Sequence, residues 1–221
     1  MAPHARWLDA GIGVDLETSA GASELHAEVK RRGIKLDALV NNAGYGMFGE
    51  FKDSDLAPEL GMMQLNMSTL VVLTKLFMQD LLATRGKILN TASTASFQPG
   101  PYMAVYYASK AFVLSFSEAL AAELDGSGVT VTALCPGPTA SGFQDKAVMH
   151  ASGLVKGKKL PSSESVAKAG YRAMQRGQRV FIPGLMNWIL AQSVRFTPRN
   201  VVTMIVQQMS KPASASLLGK A

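Results

Sequence analysis

Asn90-Thr91-Ala92-Ser93, followed by Tyr106-Tyr107-Ala108-Ser109-Lys110, is the stretch on which the reading of this chain turns. Ahead of it, Ile88-Leu89 is an apolar run of the kind that ends a buried strand, and Val105 to Leu124 has the length and spacing of a long helix. Tyr106 and Lys110 are four residues apart, so on such a helix they share one face, with the ammonium near the phenol. A phenol with a pKa of about 10 is a poor acid at neutral pH, and a cation within a few ångströms is expected to favour phenolate and draw that value toward the working range. Ser93 lies thirteen residues before Tyr106. A strand end followed by a helix start can set a hydroxyl beside the phenol.

Working outward, the chain alternates strand and helix. Leu36 to Val40 is a short apolar run stopped by Asn41-Asn42-Ala43-Gly44, residues that tolerate tight or left-handed backbone. From Leu56 to Ala83 apolar residues recur at three and four, predicting one long, largely buried helix. Lys87 to Thr91 reads as a strand, and Val129 to Leu134 as another, ending at Cys135-Pro136-Gly137-Pro138. Ser162 caps a helix running to Gly177, Val180-Phe181-Ile182 is a last strand, and Asn187 to Met209 is one or two amphipathic helices broken at Pro198. Near the start, Gly11-Ile12-Gly13-Val14-Asp15-Leu16 reads as a poor strand ending at an acidic turn, and Thr18 or Ser19 caps a helix through Leu25 and Val29 that Gly33 stops. Near-continuous apolar strands alternating with helices predict an α/β fold, a doubly wound parallel sheet of Rossmann type with helices on both faces. Ligands of such sheets lie beyond the carboxyl ends of strands, where Asn41, Ser93 and Pro136 fall. Residues 139–161 are expected to form a loop beside the site, and 211–221 a frayed tail.

Composition bounds the rest. With 221 residues, 48% of them apolar and 17% charged, one domain covering 1–221 is expected. The net charge of +6 is carried by scattered basic residues apart from Lys156-Gly157-Lys158-Lys159, which disfavours a nucleic-acid partner. Cys135 is the only cysteine, so no internal disulfide can form and a reducing compartment is expected. His4, His26 and His150 make no metal-ligand set, so no metal is expected. Met1 to Leu8 lacks the apolar core of a signal peptide, and Val180 to Val194 is too short for a membrane span; the expectation is a cytoplasmic protein without a transmembrane segment.

With Ser93 and Tyr106-x-x-x-Lys110 in this order, Asn41-Asn42-Ala43-Gly44 before them and Pro136-Gly137 after them, the chain resembles the short-chain dehydrogenases/reductases over roughly Asp15 to Pro183. The resemblance implies a dehydrogenase using NAD or NADP, in which hydride passes between nicotinamide and a carbonyl or secondary alcohol. It implies that Tyr106 is the general acid/base, that Lys110 lowers its pKa and holds the nicotinamide ribose, and that Ser93 bonds the substrate oxygen. Thr91, Thr94 and Ser96 are hydroxyl alternatives, and the family spacing selects Ser93. Asn66 matches an asparagine holding a water that leads to the lysine; its other reading is an ordinary helical polar residue. Asn41, Ala43 and Gly44 match the segment lining the adenosine, Asp15 an adenine contact, and Pro136, Gly137 and Thr139 the segment beside the nicotinamide amide. Phe97, Phe143 and Met149 suggest an apolar, bulky carbonyl substrate, and each reads equally well as core. Small Ala108, Ala111, Ser115 and Ala119 suit helix pairing in a homodimer or homotetramer, and burial within a monomer equally.

One departure stands against these matches. The family's opening strand, Thr-Gly-x-x-x-Gly-x-Gly and helix, which hold the pyrophosphate, are not in this sequence. Gly11-Ile12-Gly13 sits too close to Asn41 and opens no helix, so it is read as coincidence and the first two strands and their helices as absent. The competing expectation is therefore a catalytically idle relic acting as a binding or assembly module.

Overall fold

Four short β-branched and aliphatic runs pair in parallel, because each is followed by a helix that carries the chain back to the same end of the sheet. The structure, a computed structural model, describes residues 11–140, 142 and 160–211. Its strands are β1 (Ala38–Asn41), β2 (Lys87–Thr91), β3 (Thr130–Leu134) and β4 (Val180–Phe181), in the order β1-β2-β3-β4. The helices are α1 (Gly21–Arg31), α2 (Leu56–Met63), α3 (Leu70–Leu76), α4 (Met78–Thr84), α5 (Ala104–Glu123), α6 (Ser163–Gln175), α7 (Leu185–Ser193) and α8 (Arg199–Ser210). The fold is α/β with a parallel sheet, as expected.

Strand alternation divides the core. Leu39, Ile88 and Val131 face α1, α3 and α5, packing with Val29, Leu73, Phe77 and Ala121. Leu89 and Leu134 face the other way, onto Met174 of α6. Val40, on this second face of β1, is 53% exposed. In the parallel register Asn41 stands beside Asn90, and the two side chains form a buried relay. Asn41 Nδ2 donates to Asn90 Oδ1 (2.8 Å) and Thr74 Oγ1 (3.1 Å), and Asn90 Nδ2 donates to Ser117 Oγ (2.9 Å). Each amide inside the apolar sheet is thereby satisfied, which removes the cost of burying it.

Two expectations need correction. Residues 11–15 form no strand; the segment runs into a turn in which Asp15 Oδ1 accepts from Glu17 N–H (3.0 Å) and the Gly21 N–H that opens α1 donates to Thr18 Oγ1 (3.0 Å). With a polar or glycine residue at every second position, the segment has too little apolar surface to add to the sheet. The single helix expected over 56–83 is α2, a π-helical turn (Gln64–Thr69), α3, and then α4 after a 52° bend. The bend falls at Phe77, whose backbone (φ −88°, ψ 0°) leaves the helical region, with its ring buried against His26 at 4.9 Å. Apolar periodicity is blind to both, since a π turn and a bend preserve the buried side. Phe97, half-buried, packs with Leu70, Val113, Leu114 and Cys135, in keeping with its core reading. Phe143 and Met149, and nearly all of the 139–161 loop and 211–221 tail, lie outside the described residues. Among the described residues no single helix is long and apolar enough to cross a membrane; the bent pair over 56–84 passes by length and composition, and its Leu70, Leu73, Phe77 and Leu81 are core.

Candidate active site

Beyond the carboxyl end of β2 the chain makes a short 3-10 turn, Thr94–Phe97, and its N-cap is Ser93. The Ser93 hydroxyl accepts from Ala95 N–H (3.1 Å), while Ser93 N–H donates to Ser96 Oγ (3.3 Å) and Ser96 Oγ donates to Lys110 O (2.7 Å). Thr94 N–H donates to Pro136 O (2.9 Å), joining this turn to the end of β3. Such reciprocal capping fixes the direction of a hydroxyl that a free loop leaves mobile.

Helix α5 brings the other two groups to the same place. Tyr106 is hydrogen-bonded to Ser93, and the Lys110 ammonium lies over the Tyr106 ring, 5.8 Å from its centroid. Lys110 Nζ donates to Thr91 O (2.7 Å) at the end of β2. Tyr107 points elsewhere, into the core with Met103 and Val202, and its ring fills the space where a Gly100 Cβ would stand at 2.2 Å. The three side chains expected to converge do so.

Their electrostatics differ from the expectation. The Tyr106 phenol is pushed up to about 12 because burial disfavours phenolate more than the Ser93 hydrogen bond favours it. Lys110 is pushed down to about 8 by its own burial. The ammonium sits on the ring face and is spent on a backbone carbonyl, so it does not draw the phenol toward neutrality.

Asn66 is 2% exposed and stands in the π turn. Its Oδ1 accepts from Tyr45 N–H (3.1 Å), and its Nδ2 donates to Tyr45 O (2.9 Å) and Ser109 Oγ (3.0 Å). The widened turn turns this amide onto the loop after β1, a use for which π turns are recurrently kept at functional sites. Gly44 shows why that loop carries glycine: an added Cβ would lie 2.7 Å from Asn66 Oδ1 and 3.6 Å from Lys110 Nζ. Gly44→Ala is expected to cost about 1–3 kcal/mol by forcing these groups apart, read as a lowered urea midpoint.

The remaining expected residues are dispersed around this centre. Asn41 is tied into the interior relay, so it has only its backbone to offer a ligand. Ala43 and Gly44 lie in the loop between β1 and the Tyr45 backbone. Pro136 and Gly137 follow β3; a Gly137 Cβ would meet Asn187 of α7 at 2.7 Å. Thr139 Oγ1 donates to Gly137 O (2.9 Å). Asp15 is exposed in its turn, which Thr69 Oγ1 tethers to the π turn through Leu16 O (2.8 Å).

A cleft of about 260 Å³ opens beside Tyr106, lined by Met47, Phe48, Phe51, Tyr102 and Met103, with Glu50, Asp53, Asp55 and Glu59 also on its wall. Tyr102 has φ +68°, a conformation uncommon for a bulky residue, and its carbonyl accepts from Gly49 N–H (2.9 Å). Tyr45, Ser109 and Tyr102 had no sequence signal: the first two are recruited by Asn66 from distant elements, and left-handed backbone is normally announced by Gly or Asn.

The residues present fit the nicotinamide-ribose end of a dinucleotide. Gly44 keeps the backbone close to Lys110, and the ammonium has hydrogens beyond the one given to Thr91. Among the described residues no glycine-rich strand-to-helix turn is found for a pyrophosphate.

The family model described as short chain dehydrogenase matches residues 8–151. Among curated proteins, the inactive 2-(S)-hydroxypropyl-CoM dehydrogenase 2 of Xanthobacter autotrophicus is 33% identical over 132 residues, which are 59% of this chain and 57% of the relative. The chain thus spans little more than half of that relative's length. Among solved structures, a short-chain dehydrogenase from Sphingobium yanoikuyae in complex with NADPH superposes with a TM-score of 0.71 at 24% identity, covering 92% of this chain and 76% of that one. A 7β-hydroxysteroid dehydrogenase superposes with a TM-score of 0.75 at 19% identity, covering 88% and 75%.

Proposed function

Because the chain belongs to the short-chain dehydrogenase family, we propose that it is an oxidoreductase acting on a carbonyl or secondary alcohol, with NADPH or NADH supplying or accepting the hydride at nicotinamide C4. The observation that carries this reading is the convergence of Ser93, Tyr106 and Lys110 at the carboxyl ends of β2 and β3. Tyr106, held protonated, hands its phenolic proton to the substrate oxygen as charge builds there. Ser93 donates a second hydrogen bond to that oxygen and is aimed by its own capping bonds, so little reorganisation is needed at the moment of reaction. Lys110 holds the ribose hydroxyls. Asn66 acts through the 44–45 backbone it grips. Asp15, Ala43, Pro136, Gly137 and Thr139 surround the cofactor, and Asn41 contributes through its main chain.

Met47, Phe48 and Met103 beside Tyr106 support a substrate with an apolar body. Exposed Leu56, Leu60 and Met63 on α2, next to the outer face of α5 with Phe112, support pairing of two copies through these helices. Titration of the purified chain with NADPH and NADH, followed by nicotinamide fluorescence, tests the reading: saturation in the micromolar range is expected. No binding up to about millimolar, which limits affinity to roughly 4 kcal/mol, would instead support an idle relative serving as a binding module.

A further inference from the structure

Basic residues are scattered along most of this chain, and beyond Glu164 no acidic residue accompanies them in sequence. Eight of the 22 Lys and Arg and none of the 16 Asp and Glu lie beyond it, so the last 57 residues carry +8 and the first 164 carry −2. The same segment holds the densest exposed apolar surface among the described residues. On α7, Leu185 is 74% exposed, and Met186, Trp188, Ile189 and Leu190 are exposed with it, leaving Ala191 as the buried anchor. Phe196, in the turn between α7 and α8, is 88% exposed and flanked by Arg195 and Arg199. Helix α8 has two apolar sides. Val202 and Val206 pack inward onto Ala95, Met103 and Tyr107, while Met204, Ile205 and Met209 face outward. Neither Arg195, Arg199 nor Lys211 enters an ion pair among the described residues.

Charge and apolarity together select the partner. A nucleic acid neutralises arginines but offers no apolar phase to Ile205, Met209 or Leu185. An anionic bilayer offers both at one surface, with the headgroup region favouring an indole such as Trp188. We propose that the outer faces of α7 and α8, with the Phe196 turn, dock this chain on an anionic lipid surface. Aromatic and aliphatic side chains enter the boundary between headgroups and acyl chains, and Arg195, Arg199 and Lys211 meet the phosphates. The helices, of nine and twelve residues, lie along the membrane rather than crossing it. If the catalytic reading above holds, the consequence is a substrate drawn from the lipid phase, because the inner face of α8 packs on Met103, which also lines the cleft beside Tyr106. The docking itself does not rest on that reading.

Co-sedimentation of the full chain with phosphatidylcholine vesicles, with and without phosphatidylglycerol, tests this. Binding at least about tenfold tighter to the anionic vesicles, weakened by high salt, is expected. Phe196→Ser with Ile205→Ser, and separately Arg195→Glu with Arg199→Glu, should each lower binding by about tenfold or more while leaving the melting temperature unchanged, since all four side chains are exposed. Equal or absent retention on both vesicles would overturn the proposal. So would a dimer in sedimentation velocity that the Phe196 and Ile205 pair disperses, which would make a second copy the occupant, or retention on duplex DNA tighter than on anionic vesicles.

Discussion

Replacing Tyr106 by phenylalanine is expected to lower carbonyl reduction by roughly 10²–10⁴-fold, the range of a positioned general acid, with a melting curve close to that of the parent. The phenol is hydrogen-bonded to Ser93, and the Ser93 hydroxyl still accepts from Ala95 N–H when that bond is gone. Loss of a neutral hydrogen bond at a ring that otherwise keeps its packing costs about 1 kcal/mol. Activity and stability should therefore separate. Steady-state rates with NADPH and a bulky ketone, set beside thermal unfolding of the same preparations, check both halves. Turnover within twofold of the parent would remove Tyr106 from its role.

Lys110→Met should act in the opposite sense on stability. Burial holds the Lys110 pKa at about 8 in the folded chain against an ordinary 10.5. The folded state thus binds fewer protons than the unfolded chain between those values, so stability rises with pH across that window. Below about pH 8 the full penalty of the buried ammonium is present, on the order of 3 kcal/mol. Methionine conserves the volume and removes the charge, leaving Thr91 O without its donor at a cost of about 1 kcal/mol. The variant is therefore expected to be about 2 kcal/mol more stable at pH 7 in urea unfolding, with the gap closing as pH rises from 8 to 10.5, and to lose turnover. Tyr106 titrates with the opposite effect: its folded value near 12 lies above the ordinary 10, so it contributes stability below pH 10 that is lost between 10 and 12. A variant less stable than the parent at pH 7 would show that the Thr91 bond outweighs the burial of charge. Together the two substitutions distinguish a proton carrier that costs the fold little from a cation kept at a cost because the site needs it.

The strands were legible because each is an apolar run of about the expected length ended by a residue that stops pairing: Lys87 to Thr91 is found residue for residue, and Val129 to Leu134 begins one residue late. The Ser162 cap of α6 was legible too, and Ser162 Oγ accepts from Ser165 N–H (3.2 Å). One helical turn made the approach of Lys110 to Tyr106 legible, whereas the choice of Ser93 over Thr91, Thr94 and Ser96 came from the resemblance to the family. Other features were hidden in the same residues. Asn66 in Leu65-Asn66-Met67 fits a regular helix equally well; only the approach of Tyr45 and Ser109 made a π turn worth forming. Asn41 reads as a turn residue next to Gly44, and the pairing register with Asn90 turned its amide inward.

Residue types and their spacing determined on their own the alternation of strand and helix and the parallel sheet, since each depends on neighbours within a few turns of chain. Tertiary structure alone decided the protonation balance of Tyr106 and Lys110, the bend at Phe77 and the outward turn of Phe196 and Ile205. Desolvation and exposure depend on every segment that packs around a group, and those segments come from all over the chain.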